Sequence, residues 1–151
     1  MRHYLTHILP YSPEQMFDLV GDIESYPQFV PWITALKTWN AQVALDGAMM
    51  VDAEAQVGFS FLKEKFATRV RKDEATKTVS VALLYGPFRR LNNSWQFLPH
   101  PTGTQVEFII DFEFKSRLLD GLLAANMHRA IEKLVACFEA RAATLYGPAL
   151  G

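Results

Sequence analysis

The stretch SRLLDGLLAANMHRAIEKLVACFEARAATLY, residues 116–146, decides the fold of this chain. Its apolar residues recur every three or four positions, which predicts one long amphipathic helix. Ser116 is a suitable N-cap, Asp120 puts an anion in the first turn, and Gly147-Pro148 ends the pattern. At about 1.5 Å per residue this helix is roughly 45 Å long. The apolar positions are Leu119, Leu122, Leu123, Met127, Ala130, Ile131, Leu134, Val135, Phe138, Ala142 and Leu145.

An apolar face of this length needs a large partner surface, and the preceding residues supply it as strands. Apolar and polar residues alternate there with a period of two, as in antiparallel strands that have one solvated face. Short turn-like segments such as Asp46-Gly47 and Gly58-Phe59 separate the runs. The predicted strands cover residues 3–9, 33–43, 49–57, 62–71, 79–83, 91–97 and 106–114.

Two short helices are predicted after the first strand. Ser12-Pro13-Glu14-Gln15 combines an N-cap serine, a proline at the first helical position and a glutamine three residues after the cap. That helix ends near Gly21. Residues 23–29 form a second short helix, which Tyr26-Pro27 is expected to interrupt.

Composition limits the function classes. The 151 residues suffice for one domain, 1–151, and half of them are hydrophobic. A formal net charge of −1 argues against a surface built for nucleic acid, and we expect no DNA partner. The single Cys137 and four scattered histidines predict no metal site.

The order of these elements predicts an α+β fold. A curved antiparallel sheet of about six to seven strands wraps around the long C-terminal helix, because the sheet has one apolar face and the helix one apolar stripe. A curled sheet around one helix leaves a cavity where the inward side chains do not fill it, and such a cavity suits an apolar ligand.

Six segments, in this order and spacing, resemble a known family. The chain is similar to the START-like, helix-grip superfamily, and within it to the coenzyme Q-binding START-domain family, the branch that includes the bacterial ribosome-association toxins and stands beside the polyketide cyclases. Ile33 departs from the pattern, since the family has a cysteine after Pro-Trp. The segments are YSPEQMFDLV (11–20), YPQFVPW (26–32), FATRV (66–70), GPF (86–88) with Leu91, WQF (95–97) and DFEFKS (111–116).

The resemblance implies a non-enzymatic carrier that supports respiratory electron transport. Ubiquinone or a polyprenylated relative is the expected ligand, held in the tunnel between sheet and helix, and no cofactor is required. A second reading is a toxin of a toxin-antitoxin pair that binds the ribosome and blocks subunit association, and a third is a cyclase-type enzyme. The N-terminus, Met1-Arg2-His3-Tyr4, begins a strand directly, so we expect a cytoplasmic protein of bacterial type, in transient contact with the inner membrane.

Periodicity selects the residues expected to line the tunnel. On the helix, the segment 119–138 should form one wall, while Leu145 and its neighbours close the core. For any single aromatic ring an ordinary core position is the simpler interpretation. The expected lining residues are Trp32, Phe66, Trp95, Phe97, Phe108, Phe112, Phe114, Met127, Ile131, Leu134 and Phe138.

Two polar residues, Glu64 and Asn93, share the apolar side of their strands. Each is either a structural residue, turned outward by a strand irregularity or satisfied by a neighbour, which we favour, or a polar anchor for a quinone head group or an acid/base residue. If Gly58-Phe59 is a two-residue turn, Glu54 pairs with Lys63 and Asp52 with Lys65. The basic stripe Lys63, Lys65, Arg69 and Arg71 is then a solvated face rather than a contact for anionic lipid or RNA.

Apolar loop tips are expected to surround the cavity mouth and to touch the bilayer. The turn register puts Phe59 at a tip and turns Phe61 outward, and Tyr85 and Phe88 flank a second tip. These rings can equally fold back on the domain.

Overall fold

The computed structural model describes residues 2–59 and 62–147, and for Phe59 and Leu62 the backbone alone. The helices are α1 (Pro13–Gly21), a 3₁₀ helix (Ile23–Gln28) and α2 (Arg117–Tyr146). The strands are β1 (Arg2–Leu9), β2 (Ile33–Val43), β3 (Met49–Phe59), β4 (Leu62–Asp73), β5 (Thr78–Tyr85), β6 (Phe88–His100) and β7 (Gly103–Phe114).

All seven strands pair antiparallel into one curved sheet in the order β1-β7-β6-β5-β4-β3-β2. Consecutive strands from β2 to β7 are neighbours, and β1 returns to pair with β7, so β1 and β2 form the two edges. The predicted α+β architecture and strand number are confirmed. No helix in the described part of the chain is long and apolar enough to cross a membrane.

The helix α2 begins and ends as predicted. The Ser116 hydroxyl accepts a hydrogen bond from the Leu119 backbone N–H at 3.3 Å, and Gly147 ends the helix with φ = +84°. The Asp120 carboxylate accepts from the Phe114 N–H at 3.2 Å, which ties the helix start to the end of β7. The buried residues all lie from the middle of the helix onward: Ile131, Val135, Phe138 and Ala142.

The prediction that Leu145 and its neighbours close the core holds for the neighbours Ala142 and Tyr146 but is wrong for Leu145. Its side chain is half exposed, whereas Ala142 is fully buried and Tyr146 packs against the core cluster. The helix end is anchored by polar groups instead, since the Tyr146 hydroxyl donates to the Gln15 carbonyl at 3.1 Å.

The helix α1 has the predicted capping box. The Gln15 N–H donates to the Ser12 hydroxyl at 3.1 Å, and the Ser12 N–H donates to the Gln15 side chain at 3.0 Å. The 3₁₀ helix runs through Tyr26-Pro27 without the predicted interruption, because the fixed φ of proline near −65° suits a 3₁₀ turn.

The β3–β4 register differs from the prediction. Gly58 lies opposite Lys63, so the connection consists of residues 60 and 61, outside the described residues, and not of Gly58-Phe59. Glu54 therefore lies opposite Ala67, and Asp52 opposite Arg69. A turn displaced by two residues leaves every side chain on the same face, so alternation alone does not distinguish the two registers.

Candidate functional site

A cavity of about 340 Å³ lies between the concave face of the sheet and α2. Its walls are almost wholly apolar, and among the described residues around it none carries a carboxylate, an imidazole or a basic group. Two larger depressions, of about 570 and 710 Å³, are open to solvent on the convex face and beside α1 and are bordered by charged side chains. The cavity between the sheet and α2 is lined by Ile23, Tyr26, Trp32, Ile33, Leu36, Ala53, Ala55, Val57, Phe66, Thr68, Val70, Val79, Val81, Leu91, Asn93, Trp95, Phe108, Ile110, Leu134 and Phe138.

Aromatic rings close the inner end of the cavity. The Phe138 ring of α2 lies 5.1 Å from Trp95 and 5.2 Å from Tyr26, and Trp95 meets Phe108 edge-on at 4.7 Å. Such tilted contacts contribute about 0.5–1.5 kcal/mol each beyond their area. The inner end is therefore filled by rings that pack on one another.

Two polar side chains face the cavity with hydrogen-bonding capacity to spare. The Asn93 amide donates to the Ile109 carbonyl at 2.8 Å and accepts from the Trp95 indole N–H at 2.9 Å, so one amide hydrogen is unused. Thr68 is buried, and within the described residues its hydroxyl has no hydrogen-bond partner. Both groups can donate to a ligand carbonyl.

Tyr26 is the one ionisable residue among the described residues that line the cavity. Its hydroxyl donates to the Val20 carbonyl, and burial, followed by the charge of Asp22, raises the pKa of Tyr26 far above its usual value. The phenol stays neutral and serves to hold the 3₁₀ helix against α1.

The opposite end of the cavity is the mouth. Ile33 lies opposite Val57, Ala67 opposite Tyr85, and Phe88 opposite Phe114. These pairings bring the β2 start, the β3–β4 connection, the β5–β6 turn and the α2 start to one end of the sheet. We call it the mouth end. At this end the lining residues Trp32, Ile33, Val57 and Phe66 are half-buried, whereas Trp95, Phe108 and Phe138 at the aromatic end are buried.

The structure brings seven of the predicted residues to the cavity: Trp32, Phe66, Asn93, Trp95, Phe108, Leu134 and Phe138. The other inward residues lie beyond its ends. Phe97 and Ile131 are buried in the main core, and Phe112 and Phe114 form a second cluster with Leu91, on which Met127 packs. These residues point to the predicted side of their strand or helix. They do not reach the cavity, because α1 covers the concave face at one end of the sheet and Phe66 and Phe88 cover it at the other.

The predicted polar anchor Glu64 does not line the cavity. It is half-buried in a shallow surface depression with Thr34, Gln56 and Lys63. Glu64 is on the predicted side of β4. It lies nearer the end of the sheet than Phe66 does, and therefore outside the cavity mouth.

The predicted mouth residues divide into three groups. Tyr85 is exposed and its hydroxyl donates to Glu54 on the convex face. Phe88 folds back, stacking on Phe114 at 4.5 Å and meeting Phe66 at 5.4 Å. Phe61 and the side chain of Phe59 lie outside the described residues.

Sequence reasoning missed the small lining residues. Ala53 and Ala55 share the inward side of β3 with Val51 and Val57, and Thr68 faces them from β4. Small residues at successive inward positions, opposite aromatic ones, indicate unfilled space. The alternation of apolar and polar residues in β3 already identified these alanines as inward-facing.

The convex face is internally paired. Asp52, almost fully buried, accepts from Arg69 Nε at 2.8 Å and Nη2 at 3.1 Å and from Asn40 at 3.0 Å. The Arg69 hydrogen bond, then that of Asn40, holds the pKa of the Asp52 carboxyl below its usual value. Arg71 pairs with Asp46. The basic residues of β4 therefore lie on a solvated face, as predicted, but they pair with other acidic residues than the predicted turn implied.

Comparison with known proteins agrees with this geometry. The model of the family described as polyketide cyclase / dehydrase and lipid transport matches residues 9–139. The ribosome association toxin RatA of Rickettsia prowazekii is 39% identical over 140 residues, covering 91% of this chain and 92% of the relative. The mitochondrial coenzyme Q-binding protein COQ10 homolog B of Xenopus laevis is 28% identical. That alignment includes 93% of this chain and 57% of the relative.

Solved structures agree as well. The solution structure of the 18 kDa protein CC1736 from Caulobacter crescentus has 60% sequence identity and a TM-score of 0.83, with 98% of this chain and 99% of that chain covered. A START superfamily protein from Mycobacterium smegmatis, 22% identical with a TM-score of 0.78 and 95% and 98% coverage, shares the fold.

Proposed function

The chain belongs to the polyketide cyclase / dehydrase and lipid transport family, and from this premise we propose that it carries a prenylated quinone such as ubiquinone in the cavity between the sheet and α2. The observation that carries the proposal is the chemistry of the walls. Among the described lining residues, they are apolar except for the hydrogen-bond donors Asn93 and Thr68 and for Tyr26, whose hydroxyl is already bonded to the Val20 carbonyl. A quinone head offers carbonyl oxygens as acceptors, and a prenyl tail needs only apolar surface.

Size limits how the ligand fits. The volume of about 340 Å³ is at the small end of ligand pockets, which span roughly 300–1,000 Å³. It accommodates a head group or a few isoprene units, so a long tail leaves through the mouth. Burial of each isoprene unit stabilises the complex at about 25 cal/mol per Å² of apolar surface.

The same walls favour carriage over catalysis. General acid–base chemistry needs a group that exchanges protons near neutral pH. The lining offers only Tyr26, whose pKa is raised by burial and whose hydroxyl is already bonded to Val20. We therefore propose a binding protein that works in the cytoplasm and exchanges its lipid with a membrane.

Tryptophan fluorescence tests the ligand site. Quinones quench nearby excited indoles, and Trp32 and Trp95 line the cavity while Trp39 lies on the outer side of β2. Titration with a short-chain ubiquinone should lower the fluorescence of wild type and of Trp39→Phe by the same absolute amount at saturation, because Trp39 is not quenched. Trp95→Phe should lose a large part of the quenching. Equal quenching in a variant that retains only Trp39 would contradict binding in the cavity.

Purified protein supplies the direct test. Organic extraction followed by mass spectrometry should recover a prenylated quinone, and Asn93→Leu should reduce the recovered amount, since a buried quinone carbonyl loses its donor. Protein that is free of lipid and takes up no added quinone would refute the proposal.

A second candidate function is contact with the ribosome. It is favoured by the 39% identity to a relative named ribosome association toxin, over nine-tenths of both chains. Overexpression should then slow growth and reduce joined ribosomes on sucrose gradients. Ala53→Leu, which reduces the cavity, separates the two functions: a ribosome effect that survives this change does not depend on the lipid.

A further inference from the structure

The first half of α2 has two apolar faces. Leu119, Leu123 and Met127 pack on the second core cluster, whereas Leu118 and Leu122 are 75% and 42% exposed. At about 100° per residue, Leu118 lies about 140° and Leu122 about 100° from the mean direction of the three packed residues, so the exposed leucines point away from the core, Leu118 most fully. Among the described residues no other element covers this outer face.

Charge at the mouth end differs in sign from the rest of the chain. Seven basic side chains (Lys37, Lys63, Lys65, Arg89, Arg90, Lys115 and Arg117) and four acidic ones (Glu54, Glu64, Glu113 and Asp120) lie there. The whole chain has 15 basic and 16 acidic residues, so the remainder has 8 and 12. The mouth end is positive and the remainder is negative.

Several of these cations are available to a partner. Lys63, Arg89, Lys115 and Arg117 are exposed and form no ion pair with another described residue, whereas Arg90 is held by Asp111 and Glu113. The acidic Asp120 is turned to the Phe114 N–H.

We propose that the outer face of the first turns of α2, Leu118 and Leu122 flanked by Lys115 and Arg117, docks on the surface of an anionic lipid bilayer. Exposed leucines enter the acyl boundary, and basic side chains meet the lipid phosphates, as in interfacial amphipathic helices. An RNA backbone supplies phosphates but no apolar phase for the leucines, so the pair of features favours a bilayer.

Docking in this orientation places the cavity mouth against the membrane. The start of α2 and the half-buried mouth residues Trp32 and Phe66 lie at the same end of the sheet. A long prenyl tail would pass between bilayer and cavity without crossing water. The docking surface itself does not depend on which lipid the cavity binds, so vesicle binding and quinone binding can fail separately.

Co-sedimentation of the full chain with vesicles tests the surface. Wild type should bind vesicles of phosphatidylglycerol and phosphatidylethanolamine, and bind phosphatidylcholine vesicles much more weakly. Leu118→Gln/Leu122→Gln should weaken binding at least about tenfold. Lys115→Glu/Arg117→Glu should weaken it by roughly 30-fold or more on anionic vesicles, in a salt-dependent manner.

The matched control is Val43→Gln/Leu45→Gln, which removes two exposed apolar side chains at the end of β2 remote from the mouth. It should bind vesicles as wild type does. All variants should keep the wild-type circular dichroism and Tm, because the changed side chains are exposed.

Four outcomes would overturn the proposal. In the first, the wild-type protein does not bind anionic vesicles, and in the second, the control pair weakens vesicle binding as much as the leucine pair does. In the third, the wild type is a dimer in sedimentation analysis and the leucine variant is not. In the fourth, the leucine variant loses ribosome binding while its vesicle binding is unchanged. The third would assign the face to a second copy of the chain and the fourth to the ribosome.

Discussion

Replacement of Ala53 by leucine measures whether the cavity is empty space. Ala53 is nearly fully buried and lines the cavity. Leucine adds three carbon atoms. If each occupies about 30 Å³, the volume of a water molecule, they fill about 90 Å³, or about a quarter of the cavity. At about 0.8 kcal/mol per buried carbon the gain is about 2.4 kcal/mol, less about 0.5–1 kcal/mol of side-chain entropy.

The expected net stabilisation is therefore about 1.5–2 kcal/mol, which raises the Tm by roughly 3–8 °C for a chain of this size. Urea denaturation and a thermal melt of lipid-free protein measure it. Ala142→Leu is the matched control, because Ala142 is fully buried in the core between α2 and α1 and lines no cavity. Overpacking there should cost about 1–3 kcal/mol.

The sign of the difference decides the question. If Ala53→Leu destabilises the protein as much as Ala142→Leu does, the space is already filled and the reasoning is refuted. If Ala53→Leu is stable but takes up quinone as wild type does, the ligand does not occupy this part of the cavity.

Two further predictions concern stability. Asp52→Asn should cost about 1–3 kcal/mol in urea denaturation, because it removes the charged partner of Arg69. The folded pKa of Asp52 lies below its usual 3.8, so the pair stabilises the protein at neutral pH and the gain is lost as the pH falls through the folded pKa. The variant should therefore lose less stability on acidification than wild type, and an unchanged acid profile would argue against this pair. Gly86→Ala should cost about 1–3 kcal/mol, since a Cβ there would lie 2.5 Å from the Phe66 Cβ, whereas Gly121→Ala, with nothing within 4 Å, should gain about 0.5–1 kcal/mol in the same melt.

Local patterns predicted most of the fold. Each of these patterns depends only on residues that are close in the chain. They are the capping box at Ser12 and Gln15, the three- to four-residue spacing in 116–146, and the period of two in the strands between them. Such signals act within a few residues, so they identify elements and their apolar sides. The strand order was not predicted: short turns join β2 to β7 as neighbours, but the pairing of β1 with β7 joins distant parts of the chain.

The candidate site was only partly predictable. Trp95 and Phe97 have the same side of β6, yet one lines the cavity and the other fills the core. The difference is their position relative to α1, which packs over the far end of the sheet. Alternation contains no information on where a second layer begins and ends.

The sequence by itself determined which side of each strand and helix is apolar, because side-chain direction follows from the backbone period. Only the tertiary structure decided the β3–β4 register, the burial of Asp52 beneath Arg69, and the place where the concave face is left unfilled. These depend on distances between residues far apart in the chain. For α2 the same division holds: periodicity predicted the helix, and packing decided that its second half closes the core while its first half keeps leucines exposed on the outer face.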